Sequence, residues 1–456
     1  MYFLVFVSSL LASFRQAVAV EKASLLGNVP ASFSSVSVVL LERNLAVLPE
    51  SWQIPDLTSS LFDCETANDA LTDILSTIKQ ADFIAWDQSF LDIIGTSAKL
   101  ERIQSFPDDE NHVHEAPVYL SETNELLFSD THVTGWLWAI NIDTHETRKI
   151  HTNPALEHVN GGTYHNGYAY LATNGGSTRG LFRVNVTSGH AECILNNYRG
   201  RHLLNSKAVC DTEAGSHNES SLPIWLSTGS PNDLIFDSNS NILFTDPPYG
   251  WHNWGVEDPE LPTAVYQFNT KTGALRALTN SVVLTPNGLA LSPDESVLYV
   301  ADSNSSLNSA SHLGSARNVW AFDYSYSMLS NPRLVYQVES GWPDGLRVTQ
   351  GGLLMVAVAG GVDVVDPSNG LLLGKINTSG DIIFNLEPVI GKGGGLWMLT
   401  GKRHTYKVTI ATGGVKERSS VGSTNLRDAI SQVSQSSFST EEEDRQEHDV
   451  LEHSEL

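Results

Sequence analysis

The chain has 456 residues, of which 41% are hydrophobic, and it carries a formal net charge of −25 at pH 7. A chain of this length exceeds the usual size of one hydrophobic core, which predicts roughly two or three domains or one large repeat fold. The strong negative charge argues against binding to nucleic acid or to an anionic membrane, because both need a basic surface on the protein. With 35 glycines, the composition suits a β-structure with many turns.

Residues 1–19 predict a secretory signal peptide. The stretch from Tyr2 to Phe14 is largely apolar but too short to span a bilayer, and Ala17-Val18-Ala19 fits the small-x-small pattern of a cleavage site. Because no charged side chain precedes the apolar run, a short membrane anchor is the alternative. A signal peptide would make the protein secreted and extracellular. Four Asn-x-Ser/Thr sites are compatible with a glycoprotein on that route: Asn185, Asn218, Asn304 and Asn377.

The two ends of the chain lie outside any repeat. Residues 20–85 form an N-terminal extension with apolar clusters and with a helical pattern around Ala67 to Lys79. Residues 425–456 contain nine acidic and two basic side chains without apolar periodicity. This composition predicts a solvated, disordered tail, and a partner-binding segment is the alternative.

The cysteines give no metal or redox motif. There are three of them, Cys64, Cys193 and Cys210, and none lies in a Cys-x-x-Cys pair. The absence of such a pair argues against a cysteine-ligated zinc site. Cys64 and Cys193 could pair in an oxidising compartment.

Two short patterns alternate six times between residues 86 and 424. The first is an apolar and often aromatic strand that ends in Asn or Asp, as in Val265-Tyr266-Gln267-Phe268-Asn269. The second is a polar residue followed by two apolar strands around a turn, as in the run from Asn287 to Val300. Together they supply four strands per unit at a spacing of ~40–50 residues, which is typical of β-propellers. We therefore predict an all-β, six-bladed β-propeller with four-stranded antiparallel blades around a central metal-binding channel.

One interval in the repeat is too long. The opening polar residues Asn160 and Asn232 are 72 positions apart, and removing residues 207–230 reduces this interval to 48. A long surface loop would explain the insertion, because propellers tolerate loops between strands. Translated intron sequence from an imperfect gene model would explain it equally.

The six opening residues all carry a side-chain oxygen, and two are carboxylates. In a propeller the first strand of each blade lines the channel, so these side chains would converge on one axis. Oxygen-only ligands suit Ca²⁺, with another divalent cation such as Mg²⁺ as the alternative. Asn or Asp before Gly can also be an ordinary turn residue, but Glu115 is a poor one. The opening residues are Glu115, Asn160, Asn232, Asn287, Asp344 and Asn385.

Several dispersed motifs resemble the gluconolactonase, senescence-marker-protein and regucalcin superfamily, and among its members the fungal lactonohydrolases. They are His114-Glu115-Ala116-Pro117, Ser230-Pro231-Asn232-Asp233, Asp246-Pro247-Pro248-Tyr249-Gly250, Pro286-Asn287-Gly288-Leu289-Ala290 and Pro343-Asp344-Gly345-Leu346, with Phe90 to Gly95 and Gly374 to Ile376. The resemblance implies that Glu115, Asn287 and Asp344 bind the metal directly. It implies that Asn232 binds the metal or touches the substrate, with Asp233 behind it.

The expected reaction is metal-assisted hydrolysis of a small lactone, of the aldonolactone or pantoyl-lactone type. The cation would polarise the lactone carbonyl. Asp344 is the expected general base that takes a proton from the attacking water. Asn232 could orient the carbonyl, and Asn160 and Asn385 would bind substrate hydroxyls. Four further residues either shape the rim or pack ordinarily: His114, His165, Trp251 and His404.

Two other functions fit the same pattern. One is a phosphotriesterase-like or arylesterase-like activity in the same metal site, and the other is a non-catalytic propeller whose metal is structural. The sequence contains no Gly-x-Ser-x-Gly elbow, phosphate-binding loop or dinucleotide fingerprint. We therefore expect no serine-hydrolase or nucleotide chemistry.

Overall fold

The structure is a computed structural model of the chain. It describes residues 25–42, 48, 51–107, 112–199, 201–202, 231–254, 261–279, 282–307, 315–325, 327–391 and 395–414. The predicted signal peptide, the stretch 207–230 with Asn218, and the acidic tail lie outside the described residues and stay predictions.

The N-terminal part of the chain forms short elements. They are strand β1 (Val38–Leu40), strand β2 (Trp52–Gln53), strand β3 (Glu65–Thr66), helix α1 (Asp69–Ile78), strand β4 (Phe83–Ala85), helix α2 (Ser89–Ile94) and strand β5 (Lys99–Ser105), with 3-10 turns at Ala31–Phe33 and Leu61–Asp63. Helix α1 confirms the predicted helix. Its first turn is capped by Asn68, whose side chain accepts a hydrogen bond from the Leu71 N–H at 3.1 Å. Its apolar face is buried through Leu71, Ile74, Leu75 and Ile78.

Four separate sheets each contain four antiparallel strands in chain order. The first has β6 (His114–Leu120), β7 (Glu125–Asp130), β8 (Trp136–Asn141) and β9 (Thr147–His151), and the second has β10 (Val159–His165), β11 (Tyr168–Thr173), β12 (Gly180–Val184) and β13 (Ala191–Leu195). A ribbon of β14 (Asn197–Tyr198) and β15 (Arg201–His202) precedes the third, which has β16 (Leu234–Phe236), β17 (Asn241–Asp246), β18 (Ala264–Asn269) and β19 (Leu275–Ala277), with helix α3 (Tyr249–Trp254) after β17. The fourth has β20 (Pro286–Leu291), β21 (Val297–Asp302), β22 (Asn318–Ser325) and β23 (Met328–Gln337), with a 3-10 turn at Asn304–Ser306. The predicted all-β fold of four-stranded antiparallel units is confirmed.

The last five strands of the chain lie in one larger sheet, and one long strand takes part in both halves of that sheet. They are β24 (Leu346–Val348), β25 (Leu354–Asp366), β26 (Leu371–Pro388), β27 (Gly395–Gly401) and β28 (His404–Ile410). The first part of β26 pairs with β25 and β4, and its last part pairs with β27. Strand β28 pairs in turn with β5. Two more sets of four strands are therefore present, each completed by a strand from the N-terminal side.

The repeat pattern did not predict that β4 and β5 complete these sets. Each is separated from its partner by roughly three hundred residues, and a local sequence pattern carries no signal for such a distant pairing. Strand β1 extends the edge further by pairing in parallel with β4. The N-terminal extension is thus built into the sheet, whereas the sequence predicted only that it lay beside the repeat.

The strands that open the units are neighbours in a closed ring. Strand β6 lies beside β10, β10 beside β16, β16 beside β20, β20 beside β24, β24 beside β26, and β26 beside β6. Apolar side chains fill the space between adjacent sheets, as Val118, Leu127 and Leu171 do between the first and the second. The strands that open the units therefore follow one another around this ring.

The pairing considered for Cys64 and Cys193 is not formed. Cys193 is disulfide-bonded, whereas Cys64 is a free thiol. Cys64 packs with Leu71, Leu75 and their neighbours around α1, and burial raises the pKa of its thiol. A local sequence pattern could not show that the two cysteines lie in different parts of the fold.

The sequon residue Asn377 has a structural role on β26. Its buried Nδ2 donates to the carbonyl oxygens of Lys79 at 2.8 Å and Ala81 at 2.7 Å. Both amide hydrogens are therefore used to hold the N-terminal extension, and no room is left for a glycan in this fold. Within the described residues, no helix combines the length and the hydrophobicity that a membrane crossing needs.

Candidate active site in the channel

All six opening residues are buried. Glu115, Asn160 and Asn287 are the second residues of β6, β10 and β20, and Asn232 and Asp344 lie two residues before β16 and β24. Asn385 lies in the last part of β26, which pairs with β27. In the four strands that carry one of these residues, the pairing register shifts at or next to it. Such a β-bulge changes the direction of a side chain relative to regular alternation. The side chains at these four positions therefore need not follow the regular alternation between the two faces of the sheet.

Three of the opening residues are followed by a glycine because neighbouring ring strands approach closely. A Cβ on Gly161 would lie 2.1 Å from the Asn232 carbonyl oxygen, and one on Gly288 would lie 2.2 Å from that of Asp344. A Cβ on Gly345 would lie 2.2 Å from Asn385 Oδ1. None of the three glycines has a φ in the left-handed region. Asn160, Asn287 and Asp344 do not have a φ in the left-handed region either, so a left-handed turn does not explain these pairs.

Two of the opening carboxylates, Glu115 and Asp344, are buried, and the proton affinity of both is raised. Burial, followed by the nearby Asp344 carboxylate, raises the pKa of Glu115 well above its usual range. Burial likewise raises the pKa of Asp344 to about 7. Burial also raises the pKa of Asp233, against the opposing effect of Arg347. These groups are thus held in a site that disfavours uncompensated negative charge.

Asparagine side chains hold these carboxylates in place. The Nδ2 of Asn385 donates to Glu115 Oε2 at 3.0 Å, and Asn385 also lowers the pKa of Asp233. The Nδ2 of Asn287 donates to the Oη of Tyr249 at 3.1 Å, and Asn287 lowers the pKa of Asp344. Asn385 therefore stabilises the charged form of two carboxylates, a role that the sequence did not predict.

Two aromatic residues that the sequence did not assign to the site contact it directly. The Nε1 of Trp342 donates to Asp344 Oδ2 at 3.0 Å. Helix α3 begins at Tyr249, which is buried, whereas Trp251 on the same helix is exposed. Burial raises the pKa of the Tyr249 hydroxyl, which keeps it protonated beside Asn287. In the sequence, the position of Trp342 directly before Pro343-Asp344 could have indicated that its side chain contacts the site.

The donor set fits a hard divalent cation. The Oδ1 of Asn232 is buried and has no hydrogen-bond partner among the described residues, which is unusual for a buried polar atom. The guanidinium of Arg347 lies 3.8 Å from Asp233 and 3.3 Å from Glu387, so its charge is already shared between them. One guanidinium cannot balance these two carboxylates together with Glu115 and Asp344. Buried carboxylate and amide oxygens without enough counter-charge match the ligand preference of Ca²⁺.

The four residues considered for the rim have different surroundings. His165 stacks on Phe236 at 4.0 Å at the far end of β10 from Asn160, so it is a packing residue. His404 Nδ1 lies 3.0 Å from the Ser105 hydroxyl on the outer strands. Trp251 is exposed on α3. His114 is fully buried, and burial lowers the pKa of its imidazole to about 4.

The chain belongs to the family described as the SMP-30/Gluconolactonase/LRE-like region, whose model matches residues 113–386, more than half of the chain. This confirms the resemblance seen in the motifs. The matched span begins just before Glu115 and ends just after Asn385, so it contains all six opening residues.

Among individual proteins, the chain is similar to the lactonohydrolase oryL of Aspergillus oryzae, with 28% identity over 77% of this chain and 81% of that protein. It is also similar to the gluconolactonase of Zymomonas mobilis, with 26% identity over 58% of this chain and 69% of that protein. A solved gluconolactonase from Xanthomonas campestris superposes with a TM-score of 0.56 and 24% identity over 72% of this chain and 94% of that one. This last likeness supports the β-propeller fold.

Proposed function

We propose that the protein is a lactonase that opens a small aldonolactone or pantoyl-lactone type substrate by attack of water in the channel site. The observation that carries the proposal is the buried pair of Glu115 and Asp344, which repel each other beside the unpartnered Oδ1 of Asn232. Such a pair is tolerable in a folded protein when a cation binds between its members. The relatives named lactonohydrolase and gluconolactonase support the reaction class.

The proposal includes one propeller of six blades. The four separate sheets and the two sets that share β26 would be the blades, and the closed ring of opening strands supports this reading. Strand β5 would close the ring by completing the last blade next to the first. Closure of this kind leaves no open edge between the blades.

The residues that would hold the cation are Glu115, Asn232, Asn287 and Asp344, and Ca²⁺ is the ion that this oxygen-only set favours. When bound, the cation would supply charge that polarises the lactone carbonyl and stabilises the oxyanion.

The protein's own groups would do the proton transfer and the positioning. Asp344 would accept a proton from the attacking water, and its hydrogen bond from Trp342 would hold the carboxylate in a fixed orientation. Asn160 would bind a substrate hydroxyl. The substrate contact predicted for Asn385 stays a prediction, although its Nδ2 already donates to Glu115.

The test is proton release during hydrolysis of a panel of aldonolactones and pantoyl lactone, with and without chelator and added Ca²⁺. We expect turnover that chelation abolishes and Ca²⁺ restores. Asp344→Asn should lower kcat by about 100-fold or more, because it removes the base and a ligand. Asp323→Asn, at a half-exposed position of β22 in an ion pair with Arg333, is the matched control and should keep wild-type activity.

Other outcomes would select the alternatives. Turnover of aryl esters or phosphotriesters without lactones would favour the esterase-like or phosphotriesterase-like activity. A folded, Ca²⁺-loaded protein that turns over none of these substrates would contradict the proposal and favour a binding propeller with a structural metal.

A further inference from the structure

A second cluster of polar side chains lies at the start of the first sheet, outside the oxygen ligands of the channel. His112 precedes β6, His114 begins β6, and Asp130 ends β7 directly opposite His114 in the strand pairing. One nitrogen of each imidazole and one oxygen of the carboxylate lie within 4.8 Å of one another. Among these three residues, His114 and Asp130 are buried and His112 is half-buried.

The imidazole of His114 is held in one tautomer. Its Nδ1 lies 2.7 Å from the carbonyl oxygen of Gly401, which can only accept, so Nδ1 carries the proton. Its Nε2 therefore presents a lone pair, and this atom is buried without a hydrogen-bond partner among the described residues. The ring of Phe106 stacks on the imidazole at 3.7 Å and fixes its plane. Metal-binding histidines have this arrangement, in which the other ring nitrogen donates to a backbone carbonyl.

The other two groups are placed to complete a site. Asp130 Oδ2 lies 2.8 Å from Nδ1 of His112, whose ring is nearly parallel to that of His114 with centroids 5.3 Å apart. Asp130 Oδ1 accepts the backbone N–H of His132 at 3.0 Å, which orients the carboxylate. A buried nitrogen lone pair costs free energy unless a proton donor, a water molecule or a metal meets it.

We propose that His112, His114 and Asp130 bind a divalent transition-metal ion, with Zn²⁺ as the probe. Two imidazoles and one carboxylate are a known donor set for Zn²⁺ and leave a fourth position open. Nitrogen donors disfavour Ca²⁺, so this site and the channel would select different ions. The ion would join the segment that enters β6 to the end of β7, next to Glu115.

The sequence argued against zinc because it has no Cys-x-x-Cys pair and no histidine among the opening residues. Only the antiparallel pairing of β6 with β7 brings Asp130 opposite His114. The carbonyl that orients His114 comes from β27, far along the chain.

The experiment is calorimetric titration of the full chain with Zn²⁺ in saturating Ca²⁺, which keeps the channel site filled. We expect about one Zn²⁺ per chain at this site. Asp130→Asn and His112→Gln should each raise the Kd for Zn²⁺ at least ten-fold. His190→Gln, which removes an exposed histidine on the loop before β13, is the matched control and should leave the Kd unchanged.

Circular dichroism and the Tm of each variant establish that it is folded. His112→Gln changes a half-buried position, so it tests the site even where Asp130→Asn does not fold. Asp344→Asn should retain Zn²⁺ binding, which separates this site from the channel and from the lactonase proposal. A Kd for Zn²⁺ that is unchanged in both His112→Gln and Asp130→Asn, or no saturable binding of Zn²⁺, would show that a water molecule meets His114 Nε2 and would overturn the proposal.

Discussion

At the scale of single residues, the channel is defined by charge that the protein alone does not neutralise. Asp344 and Glu115 are both buried, and their carboxylates accept hydrogen bonds from Trp342 and Asn385, respectively. Hydrogen bonds to neutral donors orient a carboxylate but do not remove its charge. The raised pKa of each acid is the consequence.

This arrangement predicts a stability that depends on pH in the absence of divalent cations. The pKa of Asp344 is raised from 3.8 to about 7 in the folded protein. The folded state therefore binds more protons than the unfolded state, and the free energy of unfolding should fall as the pH rises from about 4 to about 7. Thermal melts in chelator across this range measure the effect.

In Asp344→Asn, the free energy of unfolding should fall less steeply as the pH rises, because the titrating group is lost and Glu115 no longer has this second carboxylate near it. Other buried acids, such as Glu387, titrate in both proteins, so the difference between the two melting curves reports the pair. A Tm that falls equally with pH in the wild type and in Asp344→Asn would contradict a destabilising interaction between Glu115 and Asp344. The half-exposed Asp323→Asn is the control and should follow the wild type.

At the scale of elements, the site depends on how closely neighbouring ring strands approach. The residue after Asp344 is Gly345, and a Cβ there would lie 2.2 Å from Asn385 Oδ1 and 2.9 Å from Asn385 Cα. Gly345→Ala should therefore push β24 away from β26 and destabilise the protein by about 1–3 kcal/mol. Because Asn385 holds Glu115, we also expect weaker binding of the channel cation.

Gly351→Ala is the matched control for that substitution. The nearest atom to its added Cβ is Thr349 Oγ1 at 3.9 Å, and its φ lies outside the left-handed region. Melting temperature and Ca²⁺ titration of the two variants compare them directly. Equal stability and equal Ca²⁺ affinity would show that the ring strands can separate without harm to the site.

At the scale of the whole molecule, the proposed cation would connect four of the units. Glu115 belongs to the first unit, Asn232 to the third, Asn287 to the fourth and Asp344 to the set that opens with β24. A ligand that binds only the folded protein stabilises the whole folded state, because unfolding any part of the site releases the ligand. At about 100 times its Kd, Ca²⁺ should add about 2.7 kcal/mol to the free energy of unfolding.

The expected result is a Tm that rises by a few degrees with Ca²⁺, in a single transition. Differential scanning calorimetry of the wild type and of Asp344→Asn measures it, and the variant should lose most of the rise. A Ca²⁺-dependent Tm that survives the substitution would place the stabilising ion elsewhere in the protein.

The pattern of residues along the chain predicted the repeat, the four-stranded units and the set of polar residues that open them. These features follow from alternation of apolar residues and from turn chemistry, which are local along the chain. The motifs around Glu115, Asn232, Asn287 and Asp344 also determined the family. The motif also includes the glycine after Asp344, but it does not show that a glycine is needed there because of the close contact with Asn385.

Which distant segments meet follows only from the three-dimensional fold. The pairing of β5 with β28 and the hydrogen bond from Asn385 to Glu115 both join residues far apart in the chain, and the same packing keeps Cys64 a free thiol. The second cluster at His114 arises in the same way, since its orienting carbonyl comes from Gly401. Such contacts depend on packing and on the closure of the ring, and a local pattern of residue types contains no record of either.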